Sequence, residues 1–269
     1  MKKITDISEY NEILERYGGK GVLSNDYLQS TVPDLIIHDR LYADCHERNA
    51  FLFVRKDIGM RMYYYINDLE EIADFSEYED LLVEILFRTE PPKAEVEYLI
   101  RNGFHINLIR DSYAGTYKDL SENYAFVPDV IVEKAQTLLA VQTACELFND
   151  SFDRLSGDFI PESSYRSLWE SGSILIAWNS DRSSFLGALH QKKEGSVNVI
   201  GHVAVVQHAR GHGVGKALLD TFVEWNKNPE NPERTRYGLW VQRQNEPAVR
   251  MYRHAGFKYI NKSTLSLIR

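Results

Sequence analysis

The second half of the chain alternates regularly between two hydrophobic patterns. Short β-branched and apolar runs bounded by Asn, Asp, Gly or Ser indicate strands, whereas apolar residues spaced three and four apart indicate helices. The resulting order is strand, two helices, three strands, helix, strand, helix and strand. The predicted strands span 130–135, 174–178, 185–191, 197–206, 237–242 and 258–267, and the predicted helices span 138–150, 161–172, 216–225 and 246–255.

The first half is less regular, and its clearest elements are three apolar strands at 50–54, 60–66 and 81–87. A Pro-Pro pair opens a predicted helix over 91–102, and a strand over 104–109 follows it. These elements predict an N-terminal α/β region with its own strands and helices.

A glycine-rich loop follows the strand predicted at 197–206. Arg210 to Gly215 fits the pattern R-x-x-G-x-G, and an amphipathic helix comes directly after it. Glycines without a Cβ let the backbone approach a ligand closely, and the unpaired N–H groups of a helix start attract an anion. This glycine loop therefore predicts a site for a phosphate-bearing ligand. Ala217 after Lys216 excludes a Walker loop, and the spacing and late position of the glycines exclude a dinucleotide fold.

A second motif runs from Asn245 to Phe257 and reads N-x-x-A-x-x-x-Y-x-x-x-G-F. Asn245 suits the N-cap of a short helix, and Gly256 suits the position just after its end. Tyr252 falls on the apolar face of that helix. Because a tyrosine on a buried face is often only a core residue, the surrounding motif carries the functional interpretation.

Together, and in this order, the two motifs resemble those of the GNAT superfamily of N-acetyltransferases. The resemblance covers the second half of the chain. It implies an acyl-CoA N-acyltransferase fold, which is an α/β (α+β) fold with a central mixed, mostly antiparallel sheet flanked by helices. It also implies acetyl-CoA as cosubstrate and an amine as acceptor.

The resemblance implies roles for residues of both motifs. Tyr252 would protonate the leaving CoA thiolate as general acid. Several family members carry a glutamate that acts as base on the strand before the loop. The corresponding position here is Val199, which cannot accept a proton. The expected base is therefore His202, and His190 or a water relay are the alternatives. The implied cofactor contacts are the backbone of Val203, Ala204 and Val205 for the pantetheine arm, Arg210, Gly211, His212, Gly213, Val214, Gly215 and Lys216 for the pyrophosphate, and Asn245 beside the cofactor arm.

At 269 residues the chain is long enough for two domains, which we expect to span 1–125 and 126–269. The stretch 98–104 echoes 252–257 with an offset of one residue, which suggests a tandem arrangement with a degenerate acetyltransferase-like first domain. Helix, glycine and strand also form a common packing unit, so an unrelated first domain is the alternative. No R-x-x-G-x-G pattern precedes 98–104, so we do not expect the first domain to bind CoA.

Charge separates the two halves. The first 125 residues carry a net charge of −10 and the remaining residues +2. The segment 68–80 alone holds seven acidic residues and no basic one. We interpret it as the solvated face of a helix or loop, with an acidic docking surface as the alternative. An acidic surface repels phosphate backbones, so no nucleic-acid partner is expected.

Several other classes of protein do not fit the sequence. The absence of a long apolar stretch and of an apolar N-terminal signal predicts a cytoplasmic protein without membrane contact. Cys45 and Cys145 stand 100 residues apart, which indicates neither a zinc site nor a disulfide framework. The eight histidines lack the H-E-x-x-H spacing, so no metal is expected. We expect a monomer or a homodimer.

The expected function is transfer of an acetyl group from acetyl-CoA to a primary amine of a small molecule (an amino sugar, an amino acid or a polyamine) or of a peptide. Direct attack in a ternary complex, with Tyr252 as general acid, is the expected mechanism. The alternative is a catalytically weak CoA-binding or scaffolding module that docks a protein partner through its acidic N-terminal half. An aminoacyl transferase that uses charged tRNA is a third reading, which the CoA loop and the acidic charge disfavour.

Overall fold

The computed structural model describes residues 1–124, 127–157 and 159–269. Their contacts form two compact units, which are Met1–Ile109 with Lys262–Arg269, and Arg110–Asn261. The domain boundary predicted between residues 125 and 126 lies outside the described residues. The last eight residues belong to the first unit, although the chain reaches them from the second.

The first unit contains the strands predicted at 50–54, 60–66 and 81–87, which are confirmed, and several elements before them that were not predicted. Its first helix begins after Asp6, whose carboxylate accepts a hydrogen bond from the backbone N–H of Ser8. The elements are β1 (Lys2–Lys3), α1 (Ile7–Tyr17), β2 (Leu23–Ser24), α2 (Val32–Ile37), β3 (Leu41–Cys45), β4 (Ala50–Arg55), β5 (Met60–Ile66), β6 (Leu81–Phe87), α3 (Lys93–Arg101) and the start of β7 (His105–Thr116).

The sheet of the first unit has the strand order β1-β3-β4-β5-β6, and residues 263–268 pair antiparallel with β6. Within this sheet, neighbouring strands run antiparallel except for β5 and β6, which run parallel. Side chains of β4 alternate between two apolar clusters, with Phe51 and Phe53 in one and Leu52 and Val54 in the other. Both faces of this sheet are therefore buried.

The two parallel strands of the first unit, β5 and β6, diverge after a short paired stretch, and we call the opening between them a fork. Other residues of the chain occupy this fork. β5 and β6 pair only over 60–62 and 81–83, and β2 pairs with β5 beyond that point. The buried Asn25 joins the two strands, since its Nδ2 donates to the carbonyl of Glu84 at 3.0 Å and its Oδ1 accepts from the N–H of Tyr64 at 2.9 Å. The backbone groups exposed by the fork are thus satisfied from within the chain.

The acidic segment 68–80 connects β5 to β6 and forms neither helix nor strand, so it is a loop rather than a helix. The Glu71 carboxylate accepts a hydrogen bond from the N–H of Asn49 at 2.7 Å. Phe75 of the same loop is fully buried among the aromatic residues of the first unit. The segment is therefore partly built into the core rather than solvated along its whole length.

The second unit follows the predicted order of elements, which is confirmed. The α-helix α4 was not predicted, and a capping box between Thr116 and Asp119 begins it. The elements after β7 are α4 (Tyr117–Ser121), β8 (Val130–Lys134), α5 (Leu138–Ser151), α6 (Tyr165–Glu170), β9 (Ile174–Asn179), β10 (Phe185–Glu194), β11 (Val197–Val205), α7 (Val214–Trp225), β12 (Arg236–Gln242), α8 (Glu246–His254) and β13 (Lys258–Ile268).

The sheet of the second unit has the order β7-β12-β11-β10-β9-β8, and β11 and β12 form its parallel pair. The other neighbours run antiparallel. Successive residues of β10 face opposite sides, because Ala188 packs with Phe148 of α5 whereas Leu189 packs with Leu218 of α7. A mixed, mostly antiparallel sheet with helices on both faces confirms the predicted fold class.

The two units repeat one arrangement. In each, a parallel pair of strands is followed by a helix, a glycine and a further strand. The glycines, Gly103 after α3 and Gly256 after α8, have φ of 90° and 99°. This left-handed backbone ends each helix in the same way, and it accounts for the echo between 98–104 and 252–257. No helix of the described residues combines the length and apolar character that a bilayer crossing needs.

Candidate active site

The parallel pair of the second unit opens into a fork at the end of β11. β11 and β12 pair over 197–200 and 236–239, whereas β11 continues to pair with β10 as far as Val205. From Gly201 onward, β11 no longer pairs with β12, so this edge of β11 is open. Val203, Ala204 and Val205, predicted to contact a pantetheine arm, all lie on this open stretch. An extended ligand could pair with such an edge as an added strand does.

The glycine loop presents a row of backbone N–H donors. Among the described residues, the six N–H groups from Gly211 to Lys216 make no hydrogen bond. Gly213 occupies the N-cap of α7 with φ of 82°, and a Cβ there would lie 2.8 Å from Cγ1 of Val127. This left-handed turn starts α7 two residues earlier than predicted. Consecutive donors at the positive end of a helix dipole form a suitable site for a pyrophosphate.

The charged side chains of the loop differ in how freely they can bind an anion. Arg210 is exposed, and its Nε donates to the carbonyl of Val205 at 3.1 Å, which holds its guanidinium beside the fork. Lys216 instead forms an ion pair with Asp220 one turn along α7. His212 is exposed on the loop. Arg210 therefore offers more charge to an anion than Lys216 does.

Tyr252 lies inside the core of the second unit, 4% exposed, with its ring 6.0 Å from that of Phe257. Burial raises the pKa of its phenol above the ordinary value. The hydroxyl makes no hydrogen bond to another described residue. Asn245 caps α8 as predicted, because its Oδ1 accepts from the N–H of Ala248 at 3.2 Å.

Close contacts bring the three parts of the site together. A Cβ on Gly215, in the first turn of α7, would lie 2.8 Å from Sδ of Met251 and 3.8 Å from Cγ2 of Val205. Met251 immediately precedes Tyr252 on α8, and Val205 ends β11. The start of α7, helix α8 and the fork therefore meet at one place.

The two histidines considered as bases are in contact. His202 is 5% exposed, and its Nδ1 lies 3.2 Å from Nδ1 of His190 on the neighbouring strand. Its Nε2 lies 2.9 Å from the carbonyl oxygen of Gly157. Sequence reasoning identified both histidines but neither their contact nor the role of Gly157. The isolated Gly201 within a strand pattern was the available signal, since it marks a bulge at this place.

A separate cavity of about 450 Å³ lies at the other end of α7, beside Trp225 and Asn226. Twelve helical residues span about 18 Å at 1.5 Å per residue, so this cavity is not part of the glycine loop. No group of three or more His, Cys, Asp or Glu side chains suited to a metal is found in the part of the chain that the structure describes.

Comparison with known proteins agrees with this geometry. The family model described as the acetyltransferase (GNAT) family matches residues 141–257. No curated protein matches the chain.

Solved structures with this arrangement include several acetyltransferases. One from the GNAT family of Colwellia psychrerythraea is 16% identical with a TM-score of 0.53, and the match covers 99% of this chain and 98% of that one. A GCN5-related N-acetyltransferase from Sphaerobacter thermophilus is 14% identical with a TM-score of 0.55, over 82% and 76% of the two chains. A tandem GNAT protein from the clavulanic acid biosynthesis pathway is 12% identical with a TM-score of 0.55, over 86% and 83%. At these identities the likeness is one of fold. Residues 141–257 are thus a domain of the GNAT family of acetyltransferases, and the N-terminal half of the chain resembles the same fold.

Proposed function

We propose that the second unit is an N-acetyltransferase that moves the acetyl group of acetyl-CoA to a primary amine of a small molecule or a peptide. The observation that carries this proposal is the row of six N–H groups, Gly211 to Lys216, that make no hydrogen bond to any residue the structure describes and lie next to an open strand edge. The row suits a pyrophosphate and the edge suits an amide-bearing arm, and CoA carries both, with its pantetheine arm attached to its pyrophosphate.

In this proposal the backbone of Val203, Ala204 and Val205 pairs with the pantetheine arm. Arg210 and the loop residues Gly211, His212, Gly213, Val214, Gly215 and Lys216 hold the pyrophosphate. Asn245 contributes by beginning α8, because its side-chain oxygen is already used as the N-cap. Such contacts fix the thioester against the acceptor, and positioning supplies much of the rate of a two-substrate reaction.

The proposed chemistry is direct attack. The amine nitrogen bonds to the thioester carbonyl carbon and gives up one proton to the expected base, His202, or to water. The carbon–sulfur bond breaks, and the departing thiolate takes the proton of Tyr252, which solvent then replaces. The phenol is protonated at neutral pH and therefore has a proton to give, although burial raises its pKa and makes it a weaker acid. The acceptor is an amino sugar, an amino acid, a polyamine or a peptide. The cytoplasmic location, the monomeric or homodimeric state and the absence of nucleic-acid and membrane partners stay predictions.

The test is a calorimetric titration of the full chain with acetyl-CoA, using Gly211→Asp and a matched control. Gly211 and Gly195 both have left-handed φ, 81° and 57°, and no atom lies within 4 Å of a Cβ at either position. Aspartate tolerates this backbone, so both variants should fold. Gly211→Asp places a carboxylate against the pyrophosphate and should weaken binding at least about tenfold, or about 1.4 kcal/mol.

Gly195→Asp should bind as the wild type does. Equal affinity of the two variants, or no binding to the wild type, contradicts the cofactor site. A mass-spectrometric screen of glucosamine, lysine, spermidine and a short peptide then identifies the acceptor. Binding without acetylation of any amine favours the scaffolding alternative.

A further inference from the structure

The cavity at the C-terminal end of α7 continues into a second cavity. The first has a volume of about 450 Å³ and the second of about 370 Å³, and both have Gln191, Trp225 and Asn226 in their walls. Lys134 lies in the wall of the first cavity and Lys193 in that of the second. We call these five residues and the space between them the Trp225 groove. Cavities of this size hold small molecules in many proteins.

Hydrogen bonds between amide side chains fix the floor of the Trp225 groove. Nδ2 of Asn226 donates to Oε1 of Gln191 at 2.7 Å, and Nδ2 of Asn198 donates to the carbonyl of Asn226 at 3.1 Å. These residues belong to β10, to β11 and to the end of α7. A floor tied to three elements needs little ordering when a ligand binds.

Trp225 gives the groove a flat apolar surface. It is the last residue of α7, its side chain is 48% exposed, and it borders both cavities. An indole in such a position can stack on a planar ring, as aromatic side chains do on nucleobases. The groove therefore suits a ligand with a flat ring.

The charge of the groove is positive. Lys134 and Lys193 have no acidic partner among the residues that the structure describes. The other charged side chains in the two walls are in ion pairs, which are Lys192 with Glu194, Lys227 with Glu224, and Glu133 with Arg182. Two uncompensated ammonium groups match a phosphate monoester, which carries a charge of about −1.5 to −2 at pH 7.

The end of α7 does not oppose an anion as strongly as a bare helix end would. The last carbonyls of a helix carry partial negative charge and repel anions. Here the carbonyl of Val223 accepts from the Tyr237 hydroxyl at 2.7 Å, and that of Phe222 accepts from Nδ2 of Asn226 at 2.8 Å. Side-chain donors thus offset part of the negative end of the helix dipole beside the groove.

We propose that the Trp225 groove binds a nucleoside monophosphate. The base stacks on the indole of Trp225, and the ammonium groups of Lys134 and Lys193 attract the phosphate. The amide side chains of the floor and walls suit the hydroxyl groups of a ribose. The groove and the glycine loop lie at opposite ends of α7, about 18 Å apart, so this site is separate from the one proposed for acetyl-CoA.

The first experiment is a calorimetric titration of the full chain with guanosine monophosphate, whose base differs from the adenine of CoA. We expect one molecule per chain, with the same affinity in Gly211→Asp and in the presence of saturating acetyl-CoA. Loss of binding under either condition would place the nucleotide at the glycine loop and overturn the proposal. No binding at millimolar concentrations overturns it as well. The titration is decisive even if the protein proves not to bind acetyl-CoA.

The second experiment tests the stacking surface. Trp225→Leu should weaken binding of guanosine monophosphate at least about tenfold, and it should remove the quenching of tryptophan fluorescence that the nucleotide causes in the wild type. Trp169→Leu is the control, because Trp169 is 38% exposed and lies outside both cavity walls. Wild-type affinity in Trp225→Leu, or an equal loss in the two variants, contradicts the site.

The third experiment tests the phosphate contacts. The double variant Lys134→Gln, Lys193→Gln should weaken binding at least about tenfold and make it less sensitive to salt. Guanosine without its phosphate should bind the wild type as weakly as the nucleotide binds the double variant. The exposed Lys20 of the first unit supplies the control, since Lys20→Gln should bind as the wild type does. Equal affinities of guanosine and its monophosphate for the wild type contradict the role of the two lysines.

Discussion

Tyr252 and Tyr237 are buried tyrosines of one core whose hydroxyl groups have different partners. The Tyr237 hydroxyl donates to the carbonyl of Val223 at 2.7 Å, whereas that of Tyr252 makes no hydrogen bond within the described residues. A buried hydrogen bond contributes about 1 kcal/mol to stability, and leaving its acceptor unpaired costs a similar amount. The Tyr252 hydroxyl has no comparable structural role, which favours a chemical one.

Tyr252→Phe should therefore lower kcat roughly 100-fold or more and leave acetyl-CoA affinity and thermal stability nearly unchanged. Tyr237→Phe, the same chemical change in the same core, should lower stability by about 1 kcal/mol and leave turnover nearly unchanged. Steady-state kinetics, calorimetric titration and thermal unfolding measure the three quantities. Full turnover in Tyr252→Phe would show that another group, or water, protonates the thiolate.

At the scale of elements, α8 depends on its cap. This short helix carries Tyr252, and Asn245 satisfies the N–H of Ala248 at its start. Asn245→Ala should lower the free energy of unfolding by about 1 kcal/mol, whereas Asn245→Asp keeps an accepting oxygen and should be nearly neutral. Urea unfolding of both variants measures the difference. Equal loss in the two would mean that the side chain acts through contacts other than the cap.

At the scale of the whole molecule, the end of the chain stabilises its beginning. Leu267 of β13 is fully buried in the apolar cluster of the first unit, and residues 263–268 pair with β6. Leu267→Ala should lower the free energy of unfolding by about 2–5 kcal/mol because it leaves a cavity in that core. Leu86→Ala changes the same side chain at a position of β6 that is 51% exposed, and it should have little effect.

Urea unfolding monitored by circular dichroism measures both leucine variants. Similar stabilities for the two would contradict the assignment of the last strand to the first unit. A larger loss in Leu86→Ala would do so as well.

The two forks predict how many acetyl-CoA molecules one chain binds. In the first unit Asn25 already bonds the backbone of both strands, and the 68–80 connection supplies a loop where the second unit supplies α7 and its glycines. We expect one molecule per chain by calorimetry. Gly211→Asp should reduce the entire binding heat. A second binding event that remains in this variant would contradict the conclusion that the first fork is closed.

The sequence of residues 126–269 predicts most of the secondary structure of this region and the residues proposed to bind the cofactor. The signals there are local: apolar periodicity, Asn245 at a cap, Gly256 after a helix and Gly213 before one, each acting within a few residues. The first unit was harder to predict because strands such as β4 and β5 are buried on both faces and lack alternation, and β1 and β2 are only two residues long.

Long-range packing alone decided the remaining features. The pairing of residues 263–268 with β6, the closure of one fork by Asn25 and the contact of His190 with His202 each join segments separated by other elements. No local pattern encodes which strands become neighbours, because register and partner depend on the burial of the whole sheet. The sequence by itself thus indicated the GNAT domain, the glycine loop and the tyrosine helix. The tertiary structure decided which edge stays open and brought His190 into contact with His202.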